Sequence, residues 1–459
     1  MAPAQTQKKQ RVALARYPAS QQYIIDSLRL AFAKHSDWTL ITNRAEVEGA
    51  PDLQWSDYDE IDWDVLKDGT LVNSYVIRKG LIRKNHLAHT VALYVSKNPD
   101  SCLKRSVPKT LFFNLSFPDE LDELLQDELY DVAEAFQNDE ESGAEPKWWI
   151  VKAALADKGN GIRLFSSREM LDSIFENDFA VLSDDEEEES DEEGGTAGAY
   201  GTDTRVDASQ LQEWVIQEYI SKPLLIDPTP GSDSLGHKFH LRVYVVAVGG
   251  LSVYVHHPYL ALFAPTPYEL PSATDDGPVD LSSHLTNTCL QTAILGEATP
   301  EVAVSTLSAM ADRVILGGPH QGEKLGEANV HRIEDQVAAT VADVFKAAVS
   351  AGTSFQALPN AFEIFGVDFL VDDTFNVSLL EINACPDFAQ TGKELQTIID
   401  HLFACTLETA VLPYFRRQEG ELATEGPEEG EELVQEFGKL GVESRGLRKV
   451  LDMQVSKAW

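Results

Sequence analysis

Phe365-Gly-Val-Asp-Phe-Leu-Val371 and Val377-Ser-Leu-Leu-Glu-Ile-Asn383 are two short runs separated by five residues, and their reading decides the fold. The first is dominated by β-branched and aromatic residues and predicts a strand. Asp372, Asp373 and Asn376 supply turn chemistry between the runs. A period of two puts Glu381 and Asn383 on one face of the second strand. A hairpin centred between Thr374 and Phe375 sets Asp368 opposite Glu381, so two carboxylates and an amide converge. Hard oxygen donors of this kind suit Mg²⁺, which keeps some water and phosphate in its shell. The bland alternative is a solvated hairpin face. Against it stands the apolar setting: Val367 and Phe369 flank Asp368, and Leu380 and Ile382 flank Glu381, so the acids lie near a core and need a partner.

Working back along the chain, Gly236-His-Lys-Phe-His-Leu-Arg-Val-Tyr-Val-Val246 is a second strand. Lys238, His240 and Arg242 share one face, and Phe239, Leu241 and Val243 share the other. Three basic groups on one face repel unless an anion sits among them; a solvated edge is the alternative. Trp148-Trp-Ile-Val-Lys152 is a buried strand ending in lysine. Lys158-Gly-Asn-Gly-Ile162 follows, where Gly159 and Gly161 let backbone N–H groups approach a phosphate. A plain turn would look the same, and the loop matches neither a Walker A nor a full Rossmann fingerprint. Glu213 to Ile220 is a further strand, whose end at Gln217, Glu218, Tyr219 and Ile220 could hold adenine through its backbone. Leu81 to Tyr94 reads as one basic helix carrying Arg83 and Lys84. Lysines on strands, a glycine loop and a Mg²⁺ hairpin together make a nucleotide-phosphate site of the phosphoryl-transfer kind.

The chain has 459 residues, enough for two or three domains. Residues 1–10 read as disordered, 11–105 as an N-terminal α/β domain, 106–213 as a central domain with a disordered acidic insertion at 182–205, 214–416 as a C-terminal domain bearing the hairpin, and 417–459 as a flexible acidic tail with at most one marginal helix. The formal charge of −38 argues against direct nucleic-acid binding. It is uneven: nine acids lie between Asp184 and Glu193, while Arg78 to Lys109 carries eight basic residues and one acid. That basic stretch could receive an acidic ligand. The apolar run Val243 to Val255 is too short to span a bilayer. The first residues hold no hydrophobic signal segment, and four scattered cysteines form no CxxC, which makes a reducing cytoplasmic setting the default.

Taken in order, Leu81-Ile-Arg-Lys84, Trp149-Ile-Val-Lys152, Lys158-Gly-Asn-Gly-Ile162, Gln217-Glu-Tyr-Ile220, Lys238-Phe-His-Leu-Arg-Val-Tyr244, His284-Leu-Thr-Asn287, Gly366-Val-Asp-Phe and Leu380-Glu-Ile-Asn383 resemble the tubulin–tyrosine ligase family of ATP-grasp peptide ligases, from about residue 70 to 400. The resemblance implies an α/β ATP-grasp fold, with nucleotide held between two mixed or antiparallel sheets. It implies that Lys152 and Lys238 hold phosphates, that the Lys158–Ile162 loop folds over them, and that Gln217, Glu218, Tyr219 and Ile220 line the adenine hinge. Asp368, Glu381 and Asn383 would bind Mg²⁺. Lys84 and Arg242 would face the reacting end of the substrate, with Thr286 and Asn287 nearby. The implied reaction joins a free amino acid to a carboxylate of an acidic protein, the tubulin C-terminal tail being the first guess. Some fungal relatives resemble components of cytoplasmic mRNA-decay bodies, which implies decapping factors as partners and an ATP-binding scaffold as the alternative function. Two positions depart from the family pattern. His240, counted with Thr286 and Asn287 among the residues implied to contact ATP, stands where an aspartate near the nucleotide or metal is usual, and Leu262 where an arginine is expected. One lost charge-assisted contact costs about 1.5–3 kcal/mol.

Overall fold

The computed structural model describes residues 10–65, 69–143, 145–154, 161–184, 212–229, 235–272, 279–286, 304–352, 354–388, 396–420, 432–434 and 445–453. They build three sheets. The first is parallel and small, ordered Trp38–Ile41, Arg11–Leu14, Leu53–Gln54, Leu71–Val72. Helix Gln22–Phe32 covers it with Ile24, Ile25, Leu28 and Phe32. The second is antiparallel, ordered Thr110–Asn114, Glu213–Glu218, Trp149–Ala153, Arg163–Phe165. The acid-spaced apolar stripe Leu121, Leu125, Leu129, Val132 and Phe136 packs on it. Leu121, Val132 and Phe136 are borne by two helices, Leu121–Leu124 and Tyr130–Ser142, and Leu125 and Leu129 by the turn between them.

The third sheet has eight strands and is organised on Phe239–Val248, nine of whose ten residues are buried. The expected alternation is present. Phe239, Leu241, Val243, Val245 and Ala247 face the main core, under helix Glu327–Ala351. Phe362–Val371 and Val377–Ala384 form the hairpin, and its first arm lies antiparallel to Phe239–Val248. Asp368 stands opposite Glu381 as expected. The register there depends on a bulge: Val371 pairs Val377 and Phe369 pairs Leu379, so Leu380 is the extra residue that brings Glu381 level with Asp368.

Three expectations are corrected. The basic helix at Leu81 to Tyr94 is two helices, Lys79–Ile82 and Lys84–Lys97, because Arg83 is extended (ψ 125°). The boundary at 213/214 falls inside the strand Glu213–Glu218, which belongs wholly to the central sheet. The stretch after 416 is no free tail to its end: Arg445–Asp452 pairs antiparallel with Ser252–His256, burying Leu447 and Leu451. The composite helix Gln396–Gln418 is long and apolar enough by composition to cross a membrane, yet its apolar face is core, through Ile399, Leu402, Phe403, Val411 and Phe415. Expectations for residues 1–9, for the acidic insertion beyond Asp184, and for Lys158, Gly159 and Asn287 lie outside the described residues.

Candidate functional site

The site lies where the central sheet meets the hairpin. Lys152, next to last on its strand, reaches the side chain of Gln217, donating from Nζ to Oε1 at 2.9 Å. Gln217 in turn donates Nε2–H to Thr110 Oγ1 at 2.9 Å. Lys84, freed from its own helix by the break at Arg83, opens the next helix and lines a cavity of about 30 Å³ with Lys152, Gln217 and Glu381. That volume holds about one water, and a larger cavity of about 790 Å³ adjoins it, sharing Thr110 and lined by Glu218, Tyr219 and Ile220. Burial pushes Glu381 up, but Lys84 and Lys152 outweigh it and hold the carboxyl at about 2.

On Phe239–Val248 and the residue before it, Lys238, His240 and Arg242 are all buried. Lys238 donates to Tyr219 Oη at 3.1 Å and lies 4.4 Å from that ring's centroid. Tyr219 Oη also meets His284 Nδ1 at 2.9 Å. Burial brings Lys152 down to about 8, and burial together with Lys152 brings Lys238 down to about 7. Burial, then Arg242, pulls His240 down to about 3. Arg242 grips both oxygens of Asp368 through Nε and Nη2, the latter at 3.0 Å. Burial pushes Asp368 up to about 6 against the pull of Arg242, so the pair is ionic at neutral pH. Asn383 ties the acids together, donating Nδ2–H to Glu381 at 3.1 Å and to Asp368 at 3.3 Å. Gly366 is required here: a Cβ would come within 3.2 Å of Arg242 Cδ and 2.8 Å of Pro386 Cβ.

The structure therefore brings together Lys84, Lys152, Gln217, Tyr219, Lys238, His240, Thr286, Arg242, Asp368, Glu381 and Asn383. Gly161 takes a positive φ of 68° beside Ile162, at the edge of the described part of its loop. Glu218 turns outward and pairs with Lys147 at 3.1 Å. The amides of Glu218 and Tyr219 are engaged by the carbonyls of Lys109 and Trp148. Thr110 and His284 are functional neighbours that sequence reasoning does not single out. His284 does open one of the quoted motifs, whereas nothing marks Thr110. Leu262 lies across from His240 on Leu260–Phe263 and is 1% exposed in an apolar cluster with Tyr244 and Leu260.

Lys152, depressed by desolvation and Lys84, and Lys238, depressed by desolvation and Lys152, fit a polyphosphate, whose charge restores theirs. The oxygens of Asp368, Glu381 and Asn383 fit a hard divalent cation. Among the described residues no three His, Cys, Asp or Glu side chains stand assembled as a metal centre. Both oxygens of Asp368 are taken by Arg242.

Two sheets closing on paired lysines and an acid-bearing hairpin define an ATP-grasp protein, and the comparisons agree. The solved C-terminal domain of Pby1 from K. lactis, described as an ATP-grasp enzyme interacting with the mRNA decapping enzyme Dcp2, superposes with a TM-score of 0.63 at 27% identity, over 96% of this chain and 99% of that one. The model of the tubulin-tyrosine ligase family matches residues 79–419, and the chain belongs to that family. It is 39% identical to a probable tubulin–tyrosine ligase of Schizosaccharomyces pombe, over 79% of this chain and 83% of that protein. It is 37% identical to the probable tubulin–tyrosine ligase PBY1 of Saccharomyces cerevisiae, over 79% of this chain and 46% of that protein. The chain thus spans about half the length of the budding-yeast relative.

Proposed function

We propose that the chain is a Mg²⁺- and ATP-dependent ligase that joins a free amino acid to a carboxylate of an acidic protein. The observation that carries this is the run of lysines beside the low-pKa Glu381: Lys152 is depressed by desolvation and by Lys84, and the buried Lys238 by desolvation and by Lys152. A folded protein keeps such a cluster where an anionic ligand repays it. In the proposed reaction the acceptor carboxylate attacks the γ-phosphorus, its bond to the β–γ bridging oxygen breaks, and ADP leaves. The amine of the amino acid then attacks the acyl phosphate, loses a proton and expels inorganic phosphate, leaving an amide. Lys152 and Lys238 would hold the phosphates, Lys84 and Arg242 would orient the reacting carboxylate, and Ile220 would offer its amide to adenine. Asp368, Glu381 and Asn383 would hold the Mg²⁺. That ion would offset charge on the transferring phosphoryl group.

The test is incorporation of a panel of labelled amino acids into tubulin and into cytosolic proteins, with MgATP. ATP-dependent incorporation that Glu381→Gln abolishes is expected. Incorporation that survives in Glu381→Gln would overturn this assignment of the site. A second reading, an ATP-binding scaffold among cytoplasmic decapping factors in processing bodies, is favoured by Leu262, an apolar residue where a substrate-facing arginine is expected. MgATP binding with no incorporation, together with capture of a decapping factor, would select it.

A further inference from the structure

Tyr219 belongs to the hinge stretch, yet its hydroxyl is turned to a lysine assigned to phosphate. Its amide donates to the carbonyl of Trp148 at 3.0 Å, which fixes its backbone to the central sheet. Lys238, the residue before Phe239–Val248 on the large sheet, donates to Tyr219 Oη at 3.1 Å. Among the described residues that hydroxyl is the one hydrogen-bond partner of the ammonium. Besides Tyr219, the titrating groups that act on Lys238 are Lys152, His240 and His284, and none is a carboxylate. An ammonium carries three donors, so two remain for a ligand. A carboxylate in place of the phenol would hold the lysine more tightly but would also neutralise it against phosphate. A neutral hydroxyl sets the direction of Nζ and leaves its charge unspent.

The hydroxyl is itself held. Tyr219 Oη meets His284 Nδ1 at 2.9 Å, and Tyr268 shares a hydrogen bond with it. Tyr268 gives its own proton to the carbonyl of Ser221, at 2.7 Å. The arrangement works with either placement of the imidazole proton. If Tyr219 donates to His284, its oxygen accepts from Lys238. If His284 donates to Tyr219, the Tyr219 proton goes to Tyr268, and the oxygen still accepts from Lys238.

We propose that Tyr219 is a positioning residue for phosphate binding: its hydroxyl, backed by His284 and Tyr268, aims the Lys238 ammonium at the phosphates of the nucleotide. Ile220, the next residue, offers its amide to adenine under Proposed function, so neighbouring residues serve both ends of one ligand. The inference rests on that nucleotide reading.

The test is Tyr219→Phe, which keeps the ring and removes the hydroxyl. Binding of a non-hydrolysable ATP analogue and of adenosine is measured by calorimetry between about pH 5.5 and 8.5. Affinity for the analogue is expected to fall about tenfold at pH 7. Its alkaline loss should begin about one pH unit lower, because the ammonium has lost an acceptor that favours its charged form. Adenosine, which has no phosphate, should bind unchanged. Adding Tyr219→Phe to Lys238→Met should weaken the analogue no further. His284→Ala should act as Tyr219→Phe does, and His284→Asn, whose amide reaches the place of Nδ1, should restore the affinity. If circular dichroism shows Tyr219→Phe misfolded, the two His284 variants decide. An equal loss for analogue and adenosine, or the same loss in the Lys238→Met background, overturns the proposal. Analogue bound alike by the unmodified chain and by Tyr219→Phe sinks the role of Tyr219 alone. An unmodified chain that binds neither ligand sinks the ligase reading as well.

Discussion

Lys152 and Lys238 are made poor cations by their surroundings. Each has a folded pKa below that of a free lysine, about 8 and about 7, so each loses its charge as pH rises through that value. Phosphate needs both charged. Affinity for an ATP analogue is therefore expected to fall by about tenfold or more between pH 6.5 and 8.5, and binding in that window should take up protons. Calorimetry in buffers of different ionisation enthalpy measures both. Affinity that is flat across the window would mean that another group carries the phosphate. The clustering of basic groups at this scale was legible in the sequence, because the alternation of Lys238, His240 and Arg242 survives folding. The role of Gln217 was not. Its stretch was read as a hinge through the backbone, and its side chain bonds Lys152 and Thr110, a contact between strands distant in sequence.

At the scale of elements, the hairpin was readable because apolar residues alternate around its acids and turn residues sit between its arms. The compensating bulge at Leu380 was not, since a one-residue insertion leaves the composition of a strand unchanged. Arg83 defeated the helix reading for a similar reason: its neighbours keep helical spacing while its own backbone is extended. The strand Arg445–Asp452 was missed because Leu447, Val450 and Leu451 recur at helical intervals. Sheet pairing overrides that pattern, with an irregularity between Val253 and Tyr254 absorbing the mismatch. Leu451 is 4% exposed within the main core. Leu451→Ala is expected to cost about 2–5 kcal/mol, seen as a lower urea midpoint. A midpoint within error of the unmodified chain would mean that this strand adds nothing to the fold.

At the scale of the molecule, the parts of the site come from different layers. Lys84 arrives on a helix, Lys152 and Gln217 on the central sheet, and Lys238, Arg242 and the acids on the large sheet. Beside their small cleft, and sharing Thr110 with it, lies a cavity of about 790 Å³ lined by Glu218, Tyr219 and Ile220, so a nucleotide bound across the two would hold the layers together. A ligand of this kind stabilises the folded chain by mass action, by about 2.7 kcal/mol at a hundredfold excess over Kd. A thermal shift with the ATP analogue should show this, and Lys238→Met should remove most of it. An equal shift in Lys238→Met would move the nucleotide elsewhere.

The pairing of Arg445–Asp452 with Ser252–His256 also bears on what happens when the backbone is cut. Gly420 closes a helix whose Leu412 and Phe415 pack in one apolar cluster with Trp38 and Phe403, and Glu432–Val434 is paired with Arg445–Asp452. Both flanks of residues 421–431 are therefore moored to the same body. A protease that clips this acidic run would free no peptide: the nicked chain should run as two bands on a denaturing gel and elute as one species on a sizing column.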